Sequence, residues 1–420
     1  MSEILPERWY NSRPDLPVAV PMLRKMGGGG GRLTRSLLAQ MLTTERWVRI
    51  PEEVRAAYRT WRPTPLRRAH RLEAALGTPA RIYYKHEGAS PTGTFKLNTA
   101  VAQAYYYRED AASGLVTVSN DGHWGAALAH ACRDSGLDLT VYMTRDAFEQ
   151  QTAHRTLIEA YGASVDGAAD DVEAALDRAF GVVNDSNGRT HMAHGSMVDP
   201  VLVHNSVIGL EAEAQLQLEG ETPDVVFAPV SSGVSFGGLA LPLMRRVFAG
   251  EAQTRFVAVE SAACPSMTRG EYVFEHVDRK GRSPELKMYS VGRHYEPPAG
   301  HRAGLVFPGL SPLVSALVAG GHVEPQAVKQ TDAFAAGLRF ARAEGILPTP
   351  EAAHAIHAAI EEAERCRERD EARVILVGLN GQAQLDLGGY RAFLDGTLDD
   401  PTPSDAEIRG WLPDDLDAAR

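Results

Sequence analysis

The sequence predicts an α/β protein of two three-layer αβα domains, each built on an open, mainly parallel sheet. Three observations lead there. Six short segments are almost continuously apolar: ARIYYKHE (80–87), LVTVS (115–119), LTVYMT (139–144), DVVFAPV (224–230), RFVAVES (255–261) and RVILVGL (373–379). Helical stretches alternate with them: FKLNTAVAQAYYY, HWGAALAHACRDSG, EQQTAHRTLIEAYG, NSVIGLEAEAQLQLE, FGGLALPLMRRVF and EAAHAIHAAIEEAERC. An uninterrupted apolar strand is one covered on both faces, the habit of parallel sheets flanked by helices. The third observation is length, since 420 residues exceed what a single small core serves.

Composition narrows the function classes. A net charge of −11 argues against nucleic acid or an anionic membrane as partner. Cys132, Cys264 and Cys366 are odd in number and widely spaced, which excludes a disulfide framework and a CxxC metal site and suits a reducing compartment. No apolar run reaches membrane-spanning length, and MSEILPERWYNSRPDLP lacks the basic and apolar regions of a signal peptide, so a cytoplasmic location is expected. In the first sixty residues only LTRSLLAQMLTTERWV shows periodicity, and the glycines at 27–31 read as a flexible connector. The tail from about 396 is acidic and Pro-punctuated, and reads as peripheral.

In open α/β sheets ligands sit outside the carboxyl ends of strands. Four such ends are polar and Gly-bearing here: PTGTFKLN after the first strand, NDGHWG (120–125), SSGVSFGG (231–238) and NGQAQLD (380–386). In the first, Thr94 reads as the N-cap of a helix that carries Lys96 in its first turn. A cation there opposes the helix dipole, so Lys96 is either a solvated charge or awaits something negative or covalent. Within SSGVSFGG, Gly233-Val234-Ser235-Phe236-Gly237 matches the GxSxG nucleophile elbow, with Ser235 as attacker and Asp386 as a possible acid. No histidine follows Asp386, however, and nothing singles out His301, His354 or His357. The better reading is a phosphate cup, in which small residues let N–H groups and hydroxyls surround the anion. Lys96 beside a phosphate-bearing aldehyde would be a Schiff-base lysine.

From RWYN (8–11) through LDLGGY (385–390) the chain resembles the tryptophan synthase β-subunit, particularly its longer second type, a pyridoxal-phosphate (PLP) family of fold type II. WRPTPLRRAHRLEAALGTPARIYYKHEGASPTGTFKLNTA (61–100), RTLIEAYGASV, VIGLEAEAQ, AVESAACPSMTRGEY, LKMYSVG, PLVSALV and EGILPTPEAAHAIHAAI carry the likeness. It implies that Lys96 binds PLP covalently and shuttles protons, that Asn98 bonds the ring's 3-oxygen, and that Glu351 lies near the ring. It also implies a homodimer whose cofactor sits in an interdomain cleft. The smaller, mobile domain would comprise an arm (1–61) and residues 96–215, and the phosphate-binding domain residues 62–95 and 216–395, with 396–420 as the tail.

The departures from the family cluster at the four strand ends. Thr94 and Phe95 replace Ser-His before the lysine, and Ser231, Ser232, Gly233, Val234 and Ser235 replace Gly-Gly-Gly-Ser-Asn. Asn380 replaces the serine at the ring nitrogen. A neutral amide leaves the pyridine largely unprotonated, which suits β-elimination better than transamination. In TVSNDGHWG the family's catalytic glutamate is Val118, which cannot transfer a proton.

Asp121 is the candidate replacement, against a plainer reading as an Asx turn or helix cap. His123 is a second candidate acid or base, against a helix-start histidine touching backbone. Ser119, Asn120, Asp121, Gly122, His123 and Trp124 form the expected substrate loop. Glu351, His354 and His357 could share a helix face as metal ligands, but core or surface roles fit the Ala-rich helix better, and no metal is expected. His191 and His194 read as loop residues, and Cys132 and Cys264 as core fillers. The resulting expectation is a PLP-dependent lyase using a serine- or threonine-like amino acid, by β-elimination or β-substitution through an aminoacrylate, with a possible second small nucleophile. The rivals are a genuine tryptophan synthase β-chain using indole, a non-catalytic relative, and the hydrolase.

Overall fold

The structure is a computed structural model, described here for residues 4–21, 24, 33–298, 300–301, 304, 306–413 and 416. The glycine run at 27–31 lies outside the described residues. Among them the strands form a six-stranded sheet, a four-stranded sheet and two short two-stranded pairs.

The large sheet centres on Val225–Pro229 and Val374–Leu379, which pair in parallel. Arg81–His86 and Arg255–Ser261 extend it in parallel on either side, and Glu324–Val328 closes one edge. Leu66–Arg68 closes the other edge antiparallel. Both faces are covered, which explains the unbroken apolar runs. Val226 and Ala228 face Ile208, Phe236 and Leu239, on helices Val207–Leu218 and Val234–Phe248. Val225 and Phe227 face Phe340, Ile356 and Ala359, on helices Gln330–Glu344 and Pro350–Arg369. The small sheet runs Ser164–Ala169, Asp138–Thr144, Gly114–Val118, Thr190–Met192, all in parallel. Helices Leu97–Glu109, His123–Ser135 and Thr152–Ala160 pack on one face through Leu97, Leu128 and Ile158. Helix Val172–Asp185 covers the other through Ala175 and Ala179. Two sheets, each sandwiched between helices, are the fold class the sequence implied.

All six expected strands are present within a residue or two, and the differences have local causes. The helix expected from Asn205 begins at Asp199 and breaks at Ser206, whose hydroxyl donates to Val203 O (2.6 Å) and accepts from Tyr10 N–H (2.8 Å). The acidic tail, expected to be peripheral, is anchored. Asp400 accepts from the Gln330 and Thr331 N–H groups at the start of a helix, and Trp411 meets the Tyr295 ring edge-on at 5.1 Å. Among the described residues no helix is long and apolar enough to cross a membrane.

Two polar features hold the parts together. A ribbon of Glu271–Glu275 and Leu286–Ser290 projects a loop onto helix Val172–Asp185. There Arg282 pairs with Glu173 and Asp177, Lys280 pairs with Asp177, and the Arg279 N–H donates to Glu173 (2.9 Å). The second is a wholly buried charge network. Arg62 bridges Glu211 and Glu87 (each 2.9 Å), Lys85 reaches Glu211 (2.9 Å), and all four side chains are at most 3% exposed. Arg62 also donates to Asn98 Oδ1 (2.8 Å), which ties the first turn of helix Leu97–Glu109 to the large sheet. Removing one member of such a set strands the others as unpaired charges. Glu211→Ala is therefore expected to destabilise the protein by about 3–5 kcal/mol in urea denaturation, and a loss below about 1 kcal/mol would contradict this account.

Candidate active site

The polar strand ends converge between the two sheets. Lys96 is the boundary residue of its helix, which begins at Leu97. Thr94 is not the cap expected: it is bridged to Gly381, and its hydroxyl accepts only a long 3.4 Å contact from the Lys96 N–H. The Phe95 N–H donates to Asn380 O (2.9 Å), so the lysine loop is pinned to the end of strand Val374–Leu379.

Asp121 meets Lys96 from the other sheet, with Oδ2 at 3.5 Å from Nζ. Its other oxygen accepts from the His123 N–H (3.1 Å) and the Ser119 hydroxyl (3.3 Å). One oxygen makes the Asx-turn contacts of the plainer reading, and the other faces Lys96. Burial works to raise its pKa, but Lys96, His123 and His154 outweigh it and hold the carboxyl well below the ordinary range. His123 is not the backbone-touching histidine of the plainer reading. Its ring packs edge-on against His154 with centroids 4.3 Å apart, and burial, then His154 and Lys96, push it down to about 3. Gly122, at φ +75°, lets the turn close on His154, since a Cβ there would lie 2.3 Å from the His154 Cβ.

The rest of the expected substrate loop serves the fold. Ser119 accepts from the Gly125 N–H (3.0 Å), and Asn120 Oδ1 from the Thr144 N–H (3.0 Å). The Trp124 side chain points away from the loop's open face. It is only 4% exposed, packed in the core, and its indole N–H donates to Thr117 (2.8 Å). The backbone is less occupied: the N–H groups of Asn120, Asp121 and Trp124 have no acceptor among the described residues.

Facing this loop are the groups of the large sheet. The turn Ser231–Ser235 opens the fifteen-residue helix Val234–Phe248, with Gly233 at φ +93°. No side chain caps it, and the N–H groups from Ser231 to Phe236 have no protein acceptor among the described residues. The hydroxyls of Ser231, Ser232 and Ser235 are likewise unengaged by described residues. Ser311 stands beside them, its N–H donating to Ser232 O (2.9 Å) and its hydroxyl buried without a partner. The Ser235 hydroxyl makes no bond to a histidine, which removes the hydrolase reading. His301 and Asp386 do pair, at 3.2 Å. Burial opposes the charge on each, but their mutual hydrogen bond raises His301 and lowers Asp386.

Asn380 is oriented by Thr349. That hydroxyl accepts from the Ala352 N–H, so its proton goes to Asn380 Oδ1 (2.8 Å), leaving the amide nitrogen as the free end. Glu351 is 5% exposed with Oε2 unpartnered, and burial pushes it up to about 7. Asn98 stands apart: both its amide hydrogens are taken, by Glu87 (3.2 Å) and Asn205 (3.3 Å). His354 Nδ1 contacts Pro350 O (2.7 Å) while His357 pairs with Glu361 (3.3 Å), so these two do not converge with Glu351. Sequence reasoning missed His154 and Ser311, which have no local motif and come close only through the fold.

An uncapped helix start with free hydroxyls, a lysine at a polar cleft, a free amide N–H and an orphaned carboxyl oxygen together fit PLP. Residues 58–381 match the family described as "Pyridoxal-phosphate dependent enzyme". The chain is 40% identical to tryptophan synthase beta chain 2 of Methanothermobacter thermautotrophicus, over 94% of this chain and 97% of that one. It is 41% identical to tryptophan synthase beta chain 2 of Aeropyrum pernix, over 96% of each. A fungal L-serine ammonia-lyase from Rhizomucor miehei shares the fold, with a TM-score of 0.63 at 18% identity over 80% of this chain and 98% of that one. The chain belongs to the pyridoxal-phosphate dependent enzymes and is a relative of the tryptophan synthase β chains.

Proposed function

We propose that this protein is a PLP-dependent lyase acting on a serine- or threonine-like amino acid by β-elimination or β-substitution. The observation that carries the reading is Asp121 Oδ2 at 3.5 Å from Lys96 Nζ, beside a strand end where Val118 offers no proton-transfer group. Bound PLP supplies an electron sink for the carbanion formed when the substrate's α-proton leaves. Lys96 would hold the cofactor and then take that proton at Nζ. Asp121, ionised near neutrality, would keep the lysine oriented and stabilise its charged form. The free N–H groups of Asn120, Asp121 and Trp124 suit a substrate carboxylate at a strand-to-helix turn. Ser231, Ser232, Ser235 and the N–H groups of Gly233 and Val234 would hold the phosphate, and the Asn380 amide would donate to the ring nitrogen. Asn98 could reach the ring's 3-oxygen only by surrendering a hydrogen bond to Glu87 or Asn205, so its better-supported role is to anchor the lysine's helix.

The division of the chain into a smaller unit of 1–61 with 96–215 and a larger one of 62–95 with 216–395 belongs to this proposal, as do a homodimer and a cytoplasmic location. The small sheet draws its strands from residues 114–192 and the large one from 66–86 and 225–379, which supports the division. A second reading, a β chain joining indole to L-serine, is favoured by 40–41% identity to named tryptophan synthases over nearly the whole length.

The deciding experiment adds PLP to the purified protein and records visible absorption before and after L-serine, L-threonine, and L-serine with indole, with product analysis. A cofactor band absent in Lys96→Ala, with keto acid and ammonia released from one amino acid, is the expected result. Tryptophan as the main product would instead establish the second reading, and the lack of any band in the folded protein would sink both. Asp121→Asn is expected to keep the band and lower kcat by about 100-fold or more, because Lys96 loses the anion that orients it and stabilises its protonated form as it takes the proton.

Glu351 adds a pH signature. Its carboxyl is raised from 4.5 to about 7, so between those values the folded state holds a proton that the unfolded state has released. Stability then falls as pH rises through that window, and buried Glu260, also raised to about 7, contributes in the same sense. In denaturant titrations of the cofactor-free protein from pH 5 to 7, Glu351→Gln should show a shallower decline than wild type. Identical slopes would refute the assignment.

A further inference from the structure

We infer that Thr349 is a positioning residue for the cofactor: it locks the Asn380 amide with its N–H groups toward the cleft, so that the site takes a ring nitrogen only as a hydrogen-bond acceptor. The inference rests on the proposed contact between Asn380 and the ring nitrogen, and adds the residue that fixes its direction.

The direction originates at a helix end. The Ala352 N–H, in the first turn of Pro350–Arg369, can only donate, and it donates to the Thr349 hydroxyl (3.3 Å). The single proton of that hydroxyl then goes to Asn380 Oδ1 (2.8 Å). Both residues are buried, Thr349 at 2% and Asn380 at 8% exposed. With the amide reversed, its NH2 would face the hydroxyl, and the hydroxyl proton would lose its acceptor. A buried donor left unsatisfied is costly, so one orientation wins.

The backbone leaves the pair little room to rearrange. Residues 347–349 run beside 380–383, joined by the bridge between Pro348 and Gln382 and by the Ala383 N–H donating to Leu347 O (3.2 Å). Gly381 makes space for the threonine, since a Cβ there would lie 2.9 Å from the Thr349 methyl. Asn380 O accepts from the Phe95 N–H (2.9 Å), one residue from Lys96, which places the amide at the proposed cofactor site.

What remains is a donor without a protein acceptor. Asn380 Nδ2 has no partner among the described residues and, unlike Glu351 Oε2, is not sealed from solvent. A neutral pyridine nitrogen supplies the missing acceptor, whereas a pyridinium N–H would set donor against donor. Thr349 therefore acts through Asn380 to keep the ring unprotonated, and the electron sink correspondingly weak.

The test titrates cofactor-free protein with PLP and with an analogue carrying C–H in place of the ring nitrogen, following the absorption band lost in Lys96→Ala. Wild type is expected to prefer PLP by about tenfold, the scale of one hydrogen bond. Thr349→Val keeps the shape but not the hydroxyl, and its preference should fall to about threefold or less, with Thr349→Ser restoring it. Loss of the helix cap alone would weaken both ligands alike and leave the ratio unmoved. An unchanged ratio in Thr349→Val overturns the inference while the PLP reading stands. No preference in wild type removes the Asn380 contact and the inference with it, and no band with either ligand in folded protein sinks the PLP reading itself. Should Thr349→Val not fold, Thr349→Asp retains a cap that only accepts, so the amide must reverse and the preference for PLP should vanish; a preference kept there overturns the inference equally.

Discussion

The buried network of Arg62, Lys85, Glu87 and Glu211 is the interaction on which the rest of the site depends. Two cations and two carboxylates, nearly free of solvent, each face an opposite charge at hydrogen-bond distance. Burial opposes the ionisation of Glu87, but Arg62 and Lys85 hold it down at about 2, and desolvation of Arg62 is more than offset by Glu211 and Glu87. Such a network adds little net stability over a well-packed apolar core, but its geometry admits few alternatives. Through Asn98 that geometry passes to the start of helix Leu97–Glu109, and so to the backbone of Lys96. The lysine's position is thus set by electrostatics some residues away from any chemistry.

Asp121 shows how one carboxylate can serve architecture and chemistry together. Oδ1 closes the turn by accepting from His123, while Oδ2 remains directed at Lys96. The dipole of the lysine's helix makes a cation unwelcome at that end, and an anion supplied from the opposite sheet offsets this. The lysine that looked misplaced on propensity alone is in place once both sheets are considered.

Much of the fold was legible because the central strands are covered on both faces and therefore apolar throughout. The edge strands were not. SVDGAA at 164–169 and EPQAV at 324–328 are largely exposed on one side and contain Gly or Pro, so no apolar run announces them. The Thr94 cap failed for a different reason. The bridge between Thr94 and Gly381 holds the residue in place, and the helix can begin only beyond it. Lys96, Asp121 and Asn380 stood out because strand ends in parallel sheets concentrate ligand contacts, and Glu351 only through the likeness to the tryptophan synthase β-subunit. Membership of the loop says nothing about which way a side chain points: the Trp124 indole turns into the core, and only its backbone N–H stays at the turn. His154 was missed because its neighbours are brought together by a crossover between helices, and the sequence around it reads as an ordinary amphipathic helix.

The clasp between the 279–282 loop and helix Val172–Asp185 makes the grip on the small sheet's outer helix sensitive to dissolved salt. It lies on the outside of the molecule and links the ribbon to the helix covering the small sheet. Lys280 and Asp177 are about half exposed (55% and 46%), so their attraction is screened, whereas Arg282 and Glu173 are 16% and 13% exposed and feel the salt less. Any swing of that helix away from the ribbon must first undo these bonds. Ionic strength therefore sets how firmly the ribbon grips that helix, a salt dependence that no residue lining the cleft would reveal.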